Sequence, residues 1–212
     1  MKKIVIFDMD GTLINSAQDI TISINYVRNQ LYTLPPLDKS YIIEAINAHD
    51  RNLAELFYQT VHYEEGAKVL FEEHYHEQCI QNVYSYNEIV ETLECLQSRG
   101  CNMSVATNAP STFAHRMLNY VGIAPFFSSI IGADNVKFPK PHPQMIELLL
   151  EHHGYNPMED SAWMIGDNSK DMMAGSEASI NTIFAAWGFT NTGLGERVAF
   201  SPLEIVQFIF EE

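Results

Sequence analysis

Four short apolar runs punctuate the chain, at residues 4–7, 103–106, 163–165 and 182–186, and each gives way to small, turn-forming or polar residues. Each is too short for a helix, and continuous apolar runs of this length predict parallel strands covered on both faces. Between the runs the period becomes helical. Ile89, Val90, Leu93 and Leu96 fall on one helical face that stops at Arg99-Gly100, and Met145, Ile146, Leu148, Leu149 and Leu150 form another between Pro143 and Gly154. Residues 201–212 open with Ser-Pro and carry Leu203, Val206 and Ile209, which predicts a last helix packed on the sheet.

The separation between the first and second runs is unusually long, and it reads as helices. Ile20, Ile24, Val27 and Leu31 share a face; after Leu34-Pro35-Pro36 come Tyr41, Ile42, Ile43 and Ile46, then Leu53, Leu56 and Phe57, then Val69, Leu70 and Tyr75. The expected organisation is an alternating β/α core built from residues 1–16 and 86–212, with a helical module, residues 17–85, inserted after the first strand.

At 212 residues and 46% hydrophobic, the chain has room for one core domain plus an insertion and enough apolar material to fold. Its 27 acidic and 12 basic residues leave a formal charge of -15. Such a chain is repelled by nucleic acid and by anionic membrane surfaces, so neither is expected as a partner. Cys79, Cys95 and Cys101 include no CxxC pair, which argues against a disulfide framework or a structural zinc site and for buried free thiols. Met1-Lys2-Lys3 resembles a signal-peptide start, but Asp8 and Asp10 interrupt the apolar run behind it. No stretch approaches the ~20 apolar residues of a membrane span. The expected location is the cytoplasm.

Chemistry gathers where the strands end. The first run leads into Asp8-Met9-Asp10-Gly11-Thr12-Leu13; in an extended chain Asp8 and Asp10 project to one side, about 7 Å apart at Cα. The second leads into Thr107-Asn108, where a hydroxyl and backbone N–H groups make an anion site, although Thr107 alone could equally cap a helix. The third leads into Gly166-Asp167-Asn168-Ser169-Lys170-Asp171, which places two carboxylates near a helix start. Before it, Pro139, Pro141 and Pro143 hold Lys140 in a stiff segment that suits positioning. In a parallel sheet these ends share one edge, so Asp8, Asp10, Thr107 and Asp167 converge, with Lys140 reaching in from a loop. A divalent cation with oxygen ligands would satisfy the acids, and Mg²⁺ suits a site that also takes phosphate.

In those four motifs, in that order, the chain resembles the haloacid dehalogenase superfamily of phosphohydrolases with a helical cap after the first motif, and within it the phosphoglycolate phosphatase branch. Ala186-Trp187-Gly188-Phe189 resembles that branch too. The resemblance implies a Rossmann-like α/β core, a parallel sheet with helices on both faces, and an inserted α-helical cap. It implies Asp8 as the nucleophile that forms an aspartyl-phosphate and Asp10 as the acid and then the base. Lys140 and Thr107 complete the catalytic set; Asn108 is a hydrogen-bond donor to substrate. Mg²⁺ would be held by Asp8, the Asp10 carbonyl and Asp167, with Asp171 orienting ligands or water. His49 and Arg51, at a turn between cap helices where relatives carry their specificity loop, are expected to bind the far end of a small phosphorylated metabolite such as phosphoglycolate.

The expected protein is therefore a monomeric or homodimeric phosphoric monoester hydrolase. A phosphosugar mutase of the beta-phosphoglucomutase type, which shares the motifs and the cap, is the alternative; a non-catalytic phospholigand-binding protein is a third reading. His74, His76, His152 and His153 lack the spacing of a tetrahedral metal site and are expected to be surface residues.

Overall fold

The computed structural model describes residues 1–48, 52–190, 193 and 195–211. His49 and Arg51 lie outside the described residues. The chain divides into two compact units, Met1–Asn15 with Tyr84–Glu212, and Ser16–Val83.

The first unit is built on a six-stranded parallel sheet. Its strands are β1 (Lys3–Phe7), β4 (Asn102–Ala106), β5 (Ser129–Ile131), β6 (Ser161–Gly166), β7 (Asn181–Ala185) and β8 (Arg197–Ala199), in the order β5-β4-β1-β6-β7-β8. The connecting helices are α5 (Ile89–Ser98), α6 (Ser111–Tyr120), α7 (Gln144–His152) and α8 (Ser169–Glu177), and α9 (Pro202–Phe210) ends the chain. Successive residues of β1 serve opposite faces. Ile4 and Ile6 pack in one cluster with Met145, Ile146 and Leu149 of α7 and Ala174 of α8. On the other face the Phe7 ring meets Phe127 edge-on at 6.1 Å, and Lys3 Nζ donates to the Ile209 carbonyl of α9 at 2.9 Å. With Ile4, Val5, Ile6 and Phe7 all at 0% exposure, each burial is worth roughly 1.5–3 kcal/mol. The unbroken apolar run is the consequence of helices on both faces.

All four strands read from the sequence are present, and the short edge strands β5 and β8 are additional. Each has three residues and at most one that is fully buried, so neither produces an apolar run. A second, two-stranded antiparallel sheet pairs β2 (Ile14–Asn15) with β3 (Tyr84–Ser85). This pairing places Tyr84 and Ser85 in the sheet-bearing unit, whereas the sequence grouped them with the helical insertion. It also brings the two ends of the inserted segment side by side.

The second unit is helical: α1 (Ala17–Tyr32), α2 (Lys39–Asn47), α3 (Leu53–Tyr58) and α4 (Glu65–Gln78). Ile24, Val27, Ile42, Ala45, Phe57, Tyr58 and Ala67 form its own core. Asp19, fully buried near the start of α1, accepts from Gln78 Nε2 at 2.8 Å and from Asn82 N and Nδ2 at 3.0 and 2.7 Å, tying the two ends of the unit together. Among the described residues no helix is long and apolar enough to cross a membrane.

Candidate active site

The strand register sets the geometry. Phe7 pairs with Val105 on one side and with Ile165 on the other, so the carboxyl ends of β1, β4 and β6 lie level at the point where the strand order reverses direction. Asp8 stays extended, its N–H bonded to the Ile165 carbonyl at 2.8 Å. The chain then turns tightly: Gly11 adopts φ +83°, and a Cβ there would lie 2.3 Å from Asp167 Oδ2. Only glycine meets both conditions. Thr107, buried one residue past β4, accepts the Ala109 N–H on its Oγ at 3.1 Å. Helix α6 is served instead by Asp134, whose carboxylate accepts Ser111 N and Oγ at 2.6 Å each, so Thr107 is not spent as its cap.

Lys140 is the electrostatic centre. Its ammonium donates to Asp8 Oδ1 and Asp171 Oδ1, both at 2.6 Å, and the residue is 4% exposed. Burial alone would depress an ammonium. Here the Asp171 and Asp8 carboxylates overcome burial and hold Lys140 above the ordinary lysine value, so it stays charged. Asp171 occupies the first turn of α8, where its Oδ2 accepts the Asn168 N–H at 3.0 Å while the Asn168 side chain accepts Lys170 N–H at 3.0 Å. Burial, then the Asp8 charge, pushes Asp171 up to about 6 against the pull of Lys140.

Asp167 completes the cluster. Its Oδ2 accepts two backbone N–H groups, Phe189 at 2.7 Å and Thr190 at 3.3 Å, and Thr12 Oγ1 lies 3.4 Å from its Oδ1. Asp8, Asp167 and Asp171 each present a carboxylate oxygen within 4.8 Å of the others, and all three are buried. Burial, then the charges of Asp8 and Asp171, raises Asp167 well above the ordinary carboxylate value despite those two amides. When ionised, the three buried acids outnumber the Lys140 ammonium that contacts two of them. An all-oxygen donor set with excess negative charge fits a hard divalent cation.

The family model described as haloacid dehalogenase-like hydrolase matches residues 5–185, the span from β1 through β7 that supplies every one of these side chains. The chain belongs to the haloacid dehalogenase-like hydrolase family. It is similar to a phosphoglycolate phosphatase of Aquifex aeolicus, at 29% identity over 98% of this chain and 96% of that one. It is also similar to the pyrophosphatase PpaX of Bacillus pumilus, at 30% identity over 86% of this chain and 82% of that one. Among solved structures, a haloacid dehalogenase-like family hydrolase from Streptococcus pneumoniae superposes with a TM-score of 0.81 at 25% identity, covering 98% of each chain. The protein is thus an enzyme of the hydrolase class, with relatives named as phosphatases.

Asp8, Thr107, Asn108 and Asp167 follow the level strand ends of this haloacid dehalogenase-like core, Lys140 lies in the loop before α7, and Asp171 lies in the first turn of α8. Asp10 is part-buried in the turn after Asp8, bridged to Ile14. Asn108 engages the backbone of Lys140: its Nδ2 donates to the Lys140 carbonyl at 2.8 Å and its Oδ1 accepts the Lys140 N–H at 3.1 Å. His142 serves the same loop structurally, accepting Gln144 N–H at 3.1 Å and stacking on Phe138.

Several partners were not legible as site residues. Trp187 donates its indole N–H to the Thr12 carbonyl at 3.0 Å, and the Phe189 and Thr190 amides hold Asp167. The segment 186–189 stands out in the sequence as a motif, but backbone donors have no sequence letter. Tyr86 carries a phenol raised by burial and then by the charge of Asp167, with Tyr84 and Asp10 adding to it; its place after β3 is set by the small sheet the sequence did not reveal. Two histidines expected on the surface are part-buried and bonded: His74 Nδ1 lies 2.9 Å from Ser23 Oγ and stacks on Tyr26, and His153 Nε2 lies 2.8 Å from Ser104 Oγ.

Proposed function

We propose that this hydrolase is a Mg²⁺-dependent phosphatase acting on a small phosphorylated metabolite of the phosphoglycolate kind through an aspartyl-phosphate at Asp8. The observation that carries the reading is the Lys140 ammonium held 2.6 Å from both Asp8 and Asp171. It sets a fixed positive charge against Asp8 and holds one of its oxygens, so that the other is presented in a set direction. A carboxylate approaching a phosphate dianion is repelled, and fixed positive charge must offset this.

In this reading an Asp8 oxygen forms the new bond to phosphorus as the ester P–O bond breaks, and Asp10 gives its proton to the leaving oxygen. Asp10 then takes a proton from water as the water oxygen bonds to phosphorus and the Asp8 carboxylate departs. Thr107, whose Oγ is already turned by accepting the Ala109 N–H, directs its own proton outward to a phosphoryl oxygen. Asp8, the Asp10 carbonyl and Asp167 would hold Mg²⁺, which would supply the remaining positive charge. Asp171, with one oxygen on Lys140 and the other on Asn168 N–H, acts by orienting the lysine. Discrimination at the far end of the substrate is assigned to Arg51 and His49 on the family resemblance.

The test is phosphate release from p-nitrophenyl phosphate, phosphoglycolate and pyrophosphate, with Mg²⁺ and after chelation. The expected result is hydrolysis of p-nitrophenyl phosphate and phosphoglycolate that disappears in EDTA and returns with Mg²⁺. Arg51→Ala should raise KM for phosphoglycolate far more than for p-nitrophenyl phosphate, which has no second acidic group to lose. Full activity after exhaustive chelation contradicts the metal assignment, and strong preference for pyrophosphate contradicts the substrate assignment.

A further inference from the structure

Asn108 stands directly after Thr107 and is exposed at the rim of the strand ends, the natural place for a side chain that touches substrate. Its amide is already engaged elsewhere. The carboxamide lies along the backbone of Lys140, 32 positions away, donating from Nδ2 to the Lys140 carbonyl and accepting the Lys140 N–H on Oδ1. The two bonds are reciprocal, and they determine which way the amide faces, because the Lys140 backbone offers one donor and one acceptor in fixed positions.

The segment that carries the lysine makes this contact matter. Pro139 and Pro141 have no N–H, so Lys140 provides the one backbone donor in that stretch, and it is given to Asn108. The rest of the loop is held from beyond the lysine: Phe138 N–H donates to the Gln144 side chain at 2.9 Å and His142 N–H to the Pro139 carbonyl at 3.1 Å. Neither bond reaches β4. Asn108 alone among these ties the Lys140 backbone to the strand end that also carries Thr107, and it fixes the Cα from which the buried ammonium reaches Asp8 and Asp171.

We infer that Asn108 is a positioning residue for Lys140, acting on the reaction through the lysine and not through a bond of its side chain to substrate. This rests on the phosphatase reading, in which Lys140 serves the nucleophile. In that setting a clasp controls the rate of the chemical step, since displacing a catalytic group by about 1 Å can cost on the order of 10²-fold. A side chain that binds the ground-state phosphate would act instead through KM.

The experiment compares the unaltered protein, Asn108→Ala, Lys140→Ala and the double variant on p-nitrophenyl phosphate with Mg²⁺, and follows exchange of the Lys140 amide hydrogen by NMR without substrate. Asn108→Ala should lower kcat by about 10-fold or more and change KM by less than about 3-fold. In the Lys140→Ala background the same change should have almost no further effect, because residues acting through one another are not additive. Lys140 amide exchange should quicken by about 10-fold or more on loss of Asn108. A rise in KM at constant kcat, an equal loss in both backgrounds, or unchanged exchange overturns the inference. If Lys140→Ala fails to fold, the split between kcat and KM and the exchange rate decide it alone. Rapid turnover without the clasp signature sinks only this inference, whereas an unaltered protein that releases no phosphate sinks the phosphatase reading while the exchange experiment still judges the clasp.

Discussion

Gly188 occupies a position where a Cβ would stand 2.2 Å from the Gly11 carbonyl oxygen and 2.4 Å from Asp167 Cβ, and neither obstacle is the flexible end of a side chain. Its bareness lets the loop after β7 approach closely enough for Phe189 N–H to reach Asp167. On the proposed assignment of Asp167 to the metal, Gly188→Ala should push the loop away and raise the Mg²⁺ concentration for half-activation by about 10- to 100-fold, the usual cost of losing the partners that orient a metal ligand. Titration of Mn²⁺ binding by electron paramagnetic resonance should show the same weakening without turnover. Unchanged metal binding would contradict the role given to this loop. At this scale the sequence was informative about side-chain placement: Asp8, Thr107 and Asp167 stand at the expected strand ends, Lys140 reaches in from its loop, and Asp171 lies in the first turn of a helix. It was silent where the chemistry is a backbone N–H, and it gave no sign of the bonds between the Asn108 amide and the Lys140 backbone, because a partner 32 residues away leaves no local pattern.

Helices in both units were legible from their apolar spacing, but the buried stripe is narrower than the apolar one. Leu31, Val69, Val90, Leu148 and Leu203 lie at helical spacing with core residues and are nonetheless exposed. Periodicity locates a face; packing decides how much of it is covered. What periodicity hides altogether is the buried Arg28 on α1. Its guanidinium donates from Nε and Nη2 to the Pro35 carbonyl at 3.0 and 2.7 Å and from Nη1 to the Phe57 carbonyl, joining α1, the Pro35 turn and α3. Burial lowers its pKa without removing its charge. Arg28→Ala leaves those carbonyls without these donors and should destabilise the helical unit by about 2–4 kcal/mol, since each hydrogen bond to a charged group is worth roughly 1.5–3 kcal/mol. Urea denaturation followed by circular dichroism reads this directly, and a loss below about 0.5 kcal/mol would show that water replaces the guanidinium at no cost. Strands β5 and β8 were missed for the opposite reason: as short edge strands they have little burial to write into the sequence.

At the scale of the whole molecule, a chain of formal charge -15 concentrates three buried carboxylates at one sheet edge and sets one buried ammonium among them. That is an unfavourable arrangement for stability alone, because buried like charges repel and lose hydration. It is what a site for a divalent cation and a phosphoryl group requires. The central claim is that Asp8 is the group that attacks phosphorus, and turnover of p-nitrophenyl phosphate by Asp8→Asn tests it most directly. The substitution keeps the volume and one oxygen near Lys140 but removes the attacking carboxylate. The account predicts a folded protein, checked by circular dichroism and thermal denaturation, whose phosphate release falls by on the order of 10³-fold or more. A folded Asp8→Asn protein that turns over at near the unaltered rate would contradict it.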